Sequence, residues 1–489
     1  MHRNPSVEYF SPSFASPRRR ATLSTAVFSL VSTIIGGGAL SLPLMIFDTG
    51  IIFGLLLILM MAIFSSLSLD LLISCSRRHH RALTYESVAQ AAFGSFGHAI
   101  SLLLLFSLLF LAIIAYLILI RDLLPPCLEF ALGFDLTPVQ ARLSLILAVI
   151  ALFPLCLARS LQALSFTSTL SVVSMIGLAV VIAVRGSESS QCSAEKMIAN
   201  FLWPRSSAKL IASSGIAVCS FCCVFNTLSV HSSLILPTRS RVRTMLNCVM
   251  LVCCVIYLSI AVGGLCLAGE NVEGNILLNF AADDKLATIG RIGLLMTVVF
   301  SLPLLVLPCR DVCEKILLTC RTQKTEIEAD EEEEEEEKEE WENYHTNNNY
   351  QKYSTSSTPE TPLINHSHNG LAITEESLNI ASLSLTPPSP PSTFLSTFLI
   401  VMISLILSMF IPSVASVWSF LGGGVSVLLS FSFPCAFYLR IRAHKEFGWR
   451  HFLSWSILFI SSIFIIANSY SQYLLHNTVE NVSITDTVR

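Results

Sequence analysis

The chemistry offered by this sequence lies in its backbone more than in its side chains. The stretch Ser32-Thr33-Ile34-Ile35-Gly36-Gly37-Gly38-Ala39-Leu40-Ser41-Leu42-Pro43 sets three consecutive glycines inside a long apolar run. Within a helix each glycine costs roughly 1 kcal/mol against alanine. Non-helical backbone at membrane depth is tolerated only where it is buried in protein or lines a cavity. Gly36, Gly37 and Gly38 are therefore expected to open the helix. Their N–H groups, with the N-terminus of the half-helix that follows, would suit a carboxylate. Close packing through small residues is the competing explanation.

A second interruption reads Phe221-Cys222-Cys223-Val224-Phe225-Asn226-Thr227-Leu228-Ser229-Val230-His231-Ser232-Ser233. Its Asn, Thr and Ser side chains compete with the helical ladder. His231 is expected to be packed or hydrogen-bonded rather than to carry protons. The two interruptions lie five spans apart, so the chain enters them from opposite sides. Paired breaks of opposite direction point to an inverted repeat with a site between them.

Enzyme chemistry has no comparable support. No HExxH, GxSxG, P-loop or paired intramembrane aspartates occur, so no catalytic residues, no enzyme activity and no cofactor are expected. Asp48 falls at the outer end of span one, and Asp70 lies near the inner end of span two, where salt-bridging to Arg77 or snorkelling is the plain reading. Cysteines such as Cys219, Cys222, Cys223, Cys253 and Cys254 lack metal-ligand spacing and are read as small apolar filler. Cys127 and Cys192 fall in outer loops, on the oxidising face where a disulfide could form between them. Nothing suggests nucleic-acid binding.

The elements that position the two interruptions follow from composition. The chain is 53% hydrophobic and only 13% charged, against about a quarter charged in soluble proteins. About eleven apolar runs have lengths that cross a bilayer as helices. They fall near 22–46, 50–74, 99–120, 139–158, 161–184, 210–236, 246–268, 287–309, 393–411, 414–438 and 451–471. The fold class is thus an all-α integral membrane protein. No cleavable signal peptide is expected, because the polar start ends in Arg18-Arg19-Arg20 and the first run is long and glycine-interrupted.

With the N-terminus in the cytoplasm, Lys and Arg favour the inner connections by about two to one, as the positive-inside rule requires. The predicted organisation is a cytoplasmic tail (1–20), spans 1 to 8 (21–320), a disordered acidic cytoplasmic loop (321–392), spans 9 to 11 (393–475) and an outer tail (476–489). The loop holds the Glu331–Glu337 run and a Ser/Thr/Pro-rich stretch with too little apolar surface to fold. It is read as a solvated spacer, or as the binding element for a cytoplasmic partner. A short amphipathic helix is predicted from an N-cap at Thr84 to a stop at Gly94, with Tyr85, Val88, Ala89, Ala92 and Phe93 on one face.

Four stretches then resemble a known family. They are Phe28-Ser29-Leu30 through Gly36-Gly37-Gly38 to Pro43; Leu83-Thr84-Tyr85-Glu86-Ser87-Val88 through Gly94; Ala115-Tyr116 through Arg121-Asp122 to Pro125; and Ser301-Leu302-Pro303 through Leu307-Pro308-Cys309-Arg310. In this order the chain resembles the amino acid/auxin permeases, including their sodium-coupled neutral amino-acid branch. The resemblance implies a five-plus-five inverted repeat of the amino acid–polyamine–organocation type, with helices 1 and 6 discontinuous and an eleventh helix outside. It implies transport of amino acids by alternating access, driven by a sodium or proton gradient.

Carried over by position, Gly36, Gly37 and Gly38 would hold the substrate carboxylate, and carbonyls around Cys223, Val224, Phe225 and Asn226 its ammonium. Ser301 stands where sodium-coupled members have a threonine; with Thr297 and Ser32 it forms a candidate sodium site. Two departures concern the coupling ion. Ser32 replaces a frequent asparagine and Asn226 a frequent histidine, so Na+ and H+ both stay open. No charged side chain is expected in the pocket, which favours a neutral substrate over a charged one left unpaired. The alternative is an amino-acid sensor that signals through its tail or loop. The partners are then a small amino acid and the lipid bilayer, in the plasma membrane or a vacuolar or lysosomal membrane.

Overall fold

The computed structural model describes residues 19–78, 83–157, 165–189, 194–281, 284–351, 390–443 and 448–487. Its elements are helical, joined by one isolated parallel bridge between Ala21 and Leu234. Ten helices among the described residues are long and apolar enough to cross a membrane, and eleven when a bent pair counts as one span. That pair is α1 (Leu23–Ile34) and the segment Gly37–Thr49, bent by 49°. It consists of a 3-10 turn (Gly37–Ser41) and α2 (Leu42–Thr49).

The order continues with α3 (Ile51–Ser76), α4 (Tyr85–Leu132), α5 (Pro138–Cys156), α6 (Ser165–Glu188) and the short α7 (Ala194–Phe201). The sixth span is divided into α8 (Ser207–Ser220) and α9 (Val224–Ser233). Then follow α10 (Arg239–Ala268), α11 (Lys285–Gln351), α12 (Pro390–Phe410), α13 (Val414–Leu421), α14 (Phe433–Ile441) and α15 (Trp449–Thr487). Every expected span is present.

Two compact units divide the chain: Met1–Cys313 with Thr397–Arg489, and Glu314–Ser396. In the second, α11 continues as helix through the acidic run to Gln351. Glu and Lys are good helix formers, so a segment too polar to join a core can still hold local helix. The rest of the loop, 352–389, lies outside the described residues, as does Cys192.

In the first unit α10 is the central strut, packed against α1, α2, α3 and α6, while α8 packs against α2, α13 and α15. Outward positions such as Leu251, Ile289 and Phe459 are more than 60% exposed. That is the face a bilayer covers, since lipid tails are as apolar as these side chains. The expected short helix is the first part of α4. It bends at Gly94, whose φ of 68° favours glycine. Tyr85, Val88, Ala89 and Ala92 are buried, but Phe93 is 45% exposed. The Tyr85 hydroxyl donates to Leu429 O at 2.9 Å, which anchors this segment to the tenth span.

Two arginines cap helix ends. Arg121 donates to Ser408 O, Ile411 O and Pro412 O at 2.7–2.9 Å, closing the C-terminal end of α12. Arg291 donates to Leu277 O at 3.0 Å and Phe280 O at 2.7 Å. Orphan carbonyls of this kind must find donors where water is scarce. Asp70 pairs with Arg450 at 2.7 Å, not with Arg77.

Candidate functional site

The two broken spans meet. Helix α1 ends at Ile34, and Gly36 is extended, with φ −139° and ψ −161°. Pro43 sits in the first turn of α2, where its missing N–H costs nothing. In the sixth span the break falls at Phe221–Cys223, at the start of the expected interruption, and α9 starts at Val224.

Tyr257 of α10 joins the two breaks. Its hydroxyl lies 2.7 Å from Ile34 O and 2.9 Å from Ser220 O, so one O–H is shared between the last carbonyls of α1 and α8. The ring is fully buried and meets Phe221 edge-on at 5.1 Å. Asn226 makes a second link, donating from Nδ2 to Thr33 Oγ1 at 2.8 Å. On the side carrying the N-terminus the two half-helices are tied again. Ala21 N donates to Ser233 O and Ile235 N to Ala21 O, both at 2.9 Å, while Arg19 donates to His231 O and Leu234 O. At the other end Ser213 of α8 donates to the Asp48 carboxylate at 2.6 Å.

A cavity of about 80 Å³ lies at the breaks. Of the expected residues, Gly36, Gly37, Gly38 and Phe225 line it, with Thr33, Tyr116, Cys219, Ser220, Cys222 and Trp418. Leu108, Leu109, Ala112, Leu305 and Leu421 complete an apolar wall, and no charged side chain contributes. The glycines permit this closeness. A Cβ on Gly36 would stand 3.0 Å from Tyr116 Oη, one on Gly38 3.0 Å from Ser220 Oγ, and one on Gly37 would overlap the end of Leu119.

The remaining expected residues sit elsewhere. Cys223 and Val224 are buried and do not line the cavity. The Cys223 carbonyl is taken by Asn226 N, Thr227 N and the Thr227 hydroxyl. Ser32 donates to Ser29 O and Thr297 to Gly293 O, and no described hydrogen bond joins Ser32, Thr297 and Ser301. Leu305, one turn from Ser301 on the same helix face, does reach the cavity. His231 stays at the far end of α9, where its Nε2 accepts from Arg77 Nε at 3.4 Å.

Two residues at the cavity escaped the sequence reading. The indole Nε1 of Trp418 is buried and has no hydrogen-bond partner among the described residues. Tyr116 stacks edge-on against that indole at 6.5 Å. Such donors in an apolar wall are the groups a polar ligand would satisfy. Each stands as a single aromatic in an apolar run, which in sequence is indistinguishable from core.

Comparison with known proteins agrees with this architecture. Of solved structures, Mhp1, a nucleobase-cation-symport-1 family transporter in a closed conformation with bromovinylhydantoin bound, covers 98% of this chain and 96% of its own. The TM-score is 0.52 at 12% identity. At that identity the likeness speaks for the fold alone, the five-plus-five arrangement with broken first and sixth spans.

Among sequence relatives, "Amino acid transporter AVT6E" of Arabidopsis thaliana is 27% identical over 60% of this chain and 63% of its own length. A Danio rerio protein provisionally named sodium-coupled neutral amino acid transporter 11 is 26% identical over 61% of this chain and 66% of its own. "Vacuolar amino acid transporter 5" of Schizosaccharomyces pombe is 25% identical over 60% and 69%. The matches to the first two thus span less than two thirds of those relatives. The profile described as "Transmembrane amino acid transporter protein" matches residues 19–474, taking in both broken helices and the cavity between them, and the chain belongs to that family.

Proposed function

We propose that the protein carries small neutral amino acids across a membrane by alternating access, with its N-terminus in the cytoplasm and sodium as the coupling ion. The observation that carries this reading is the uncharged cavity placed where both helix breaks meet. In this reading the amino acid's carboxylate faces the Gly36–Gly38 amides and the positive end of the following half-helix, with the Trp418 indole N–H as a side-chain donor. Its ammonium faces the Phe221 and Cys222 carbonyls in the break rather than that of Cys223, which already accepts three hydrogen bonds. Its side chain rests on Leu108, Leu109 and Phe225.

A charged substrate side chain would be desolvated there without a partner. Sodium is favoured because no carboxylate or imidazole lines the cavity to carry a proton. The Ser32 and Thr297 hydroxyls donate their hydrogens to carbonyls, which leaves oxygen lone pairs for a hard cation.

Proteoliposome uptake of a radiolabelled amino-acid panel, under a sodium gradient, a proton gradient or neither, tests the reading. Saturable, sodium-driven uptake of small neutral amino acids is expected. Uptake only of lysine, arginine or glutamate would refute the substrate class, and uptake under a proton gradient alone would refute the ion. Binding without uptake would refute transport.

Trp418→Phe isolates the indole donor. A lost hydrogen bond to a charged group is worth about 1.5–3 kcal/mol, so KM is expected to rise about tenfold or more. Thermal stability should hold or rise slightly, because an unpartnered buried donor is removed. An unchanged KM would take Trp418 out of the site.

A further inference from the structure

Far from the helix breaks, a second cavity of about 520 Å³ opens at the end of the bundle that carries the N-terminus. It is framed by the start of α10, the end of α14 and the start of α15. Four arginines reach it, Arg239, Arg243, Arg442 and Arg450, and no described lining residue is acidic. Asp70 pairs with Arg450 at 2.7 Å and so fixes that guanidinium at the rim. Arg442 donates from Nη2 to Ser74 Oγ at 3.2 Å, yet its Nε is buried and lacks a hydrogen-bond partner. The N-terminus of α10, a helix of 30 residues, adds its partial positive charge to the same space. Several guanidinium groups around one concavity suit phosphate, which accepts paired N–H donors.

The surroundings distinguish a lipid from a soluble anion. Arg239, Arg243, Asn247, Leu251 and Val255 recur every four residues, so each lies beside the next in a row that winds along α10. That row passes from charge to exposed hydrocarbon, with Leu251 67% and Val255 60% exposed. On α15 Trp449, which lines the cavity, and Phe452, one turn further on, are likewise exposed, as aromatic side chains are at membrane interfaces.

We propose that this cavity binds the phosphorylated headgroup of an anionic membrane lipid, with its acyl chains lying along the apolar continuation of α10 and α15. Basic pockets between membrane helices recognise such headgroups elsewhere. A bound headgroup would tie the start of α10, which braces both helix breaks through Tyr257, to α14 and α15.

Native mass spectrometry of the full-length protein in detergent tests the assignment, with phosphatidylinositol 4,5-bisphosphate, phosphatidylcholine and soluble inositol trisphosphate as probes. The bisphosphate lipid is expected to be retained in preference to phosphatidylcholine, and the soluble trisphosphate to compete only weakly. Arg243 is exposed, so Arg243→Gln should leave the lipid-free melting temperature unchanged and weaken retention about fivefold. Arg243→Lys should lose less. Combining Arg243→Gln with Arg442→Gln should abolish the preference. Equal retention of phosphatidylcholine, or arginine variants that bind like the parent, would overturn the site. A soluble trisphosphate that binds as tightly as the lipid would overturn the lipid reading.

Discussion

Gly37→Val is expected to abolish measurable uptake while leaving the protein folded and in the membrane. A Cβ on Gly37 would overlap the end of Leu119 and stand 3.4 Å from the Trp418 ring. Leu119 is fully buried, so it can yield only by entering the cavity or straining its own packing. Overpacking of this kind costs about 1–3 kcal/mol. If that cost falls on the substrate-bound state, binding weakens about five- to hundredfold. The valine methyls would also occupy a cavity of only about 80 Å³. Gly37→Ala should show a smaller loss of the same kind. The measurement is uptake against substrate concentration, with surface abundance and melting temperature as controls. A parental KM in Gly37→Val would mean that substrate does not pass between the broken helices.

The spans could be read from hydropathy and length because a bilayer imposes both on a helix. Glycine runs were less decisive. Gly36-Gly37-Gly38 opens the first span, whereas Gly422-Gly423-Gly424 remains helical as part of a widened i→i+5 turn. The second run serves close packing, since a Cβ on Gly422 would overlap Gly215 O and one on Gly423 the Asn468 amide. Both explanations offered for three glycines therefore occur in one chain. What separates them is tertiary, because one run faces a cavity and the other a neighbouring backbone.

The interruption of the sixth span was expected somewhere along Phe221–Ser233, where Asn, Thr and Ser compete with the helical ladder. The structure confines it to Phe221–Cys223, because Thr227 and Asn226 support the start of α9 by bonding back to Cys223 O. Counting Lys and Arg by side likewise says nothing of Arg121 and Arg291 being committed to helix carbonyls. A sequence records that a donor exists and leaves open which carbonyl it meets.

Tyr257→Phe should be among the most damaging single-atom changes in the protein. The substitution keeps the ring, its volume and its contact with Phe221, and removes only the hydroxyl. Two carbonyls, Ile34 O and Ser220 O, then lose a donor at once in a site that is fully buried. An unsatisfied buried polar group costs about 1–3 kcal/mol, so the combined loss lies between one such group and two, less whatever a water could restore. A water needs room and polar partners, and the adjacent cavity offers both only by admitting solvent to the space assigned to substrate.

The expected result is a lower melting temperature together with a loss of uptake larger than the stability change alone would give. The two half-helices would no longer be held at the geometry that frames the cavity. Tyr257→Trp would be a poor control because of its size, whereas Phe221→Leu reports the packing contribution separately. A Tyr257→Phe protein with parental uptake and stability would show that the shared hydroxyl does not hold the breaks, and the ties at Asn226 and Ala21 would have to carry that role unaided.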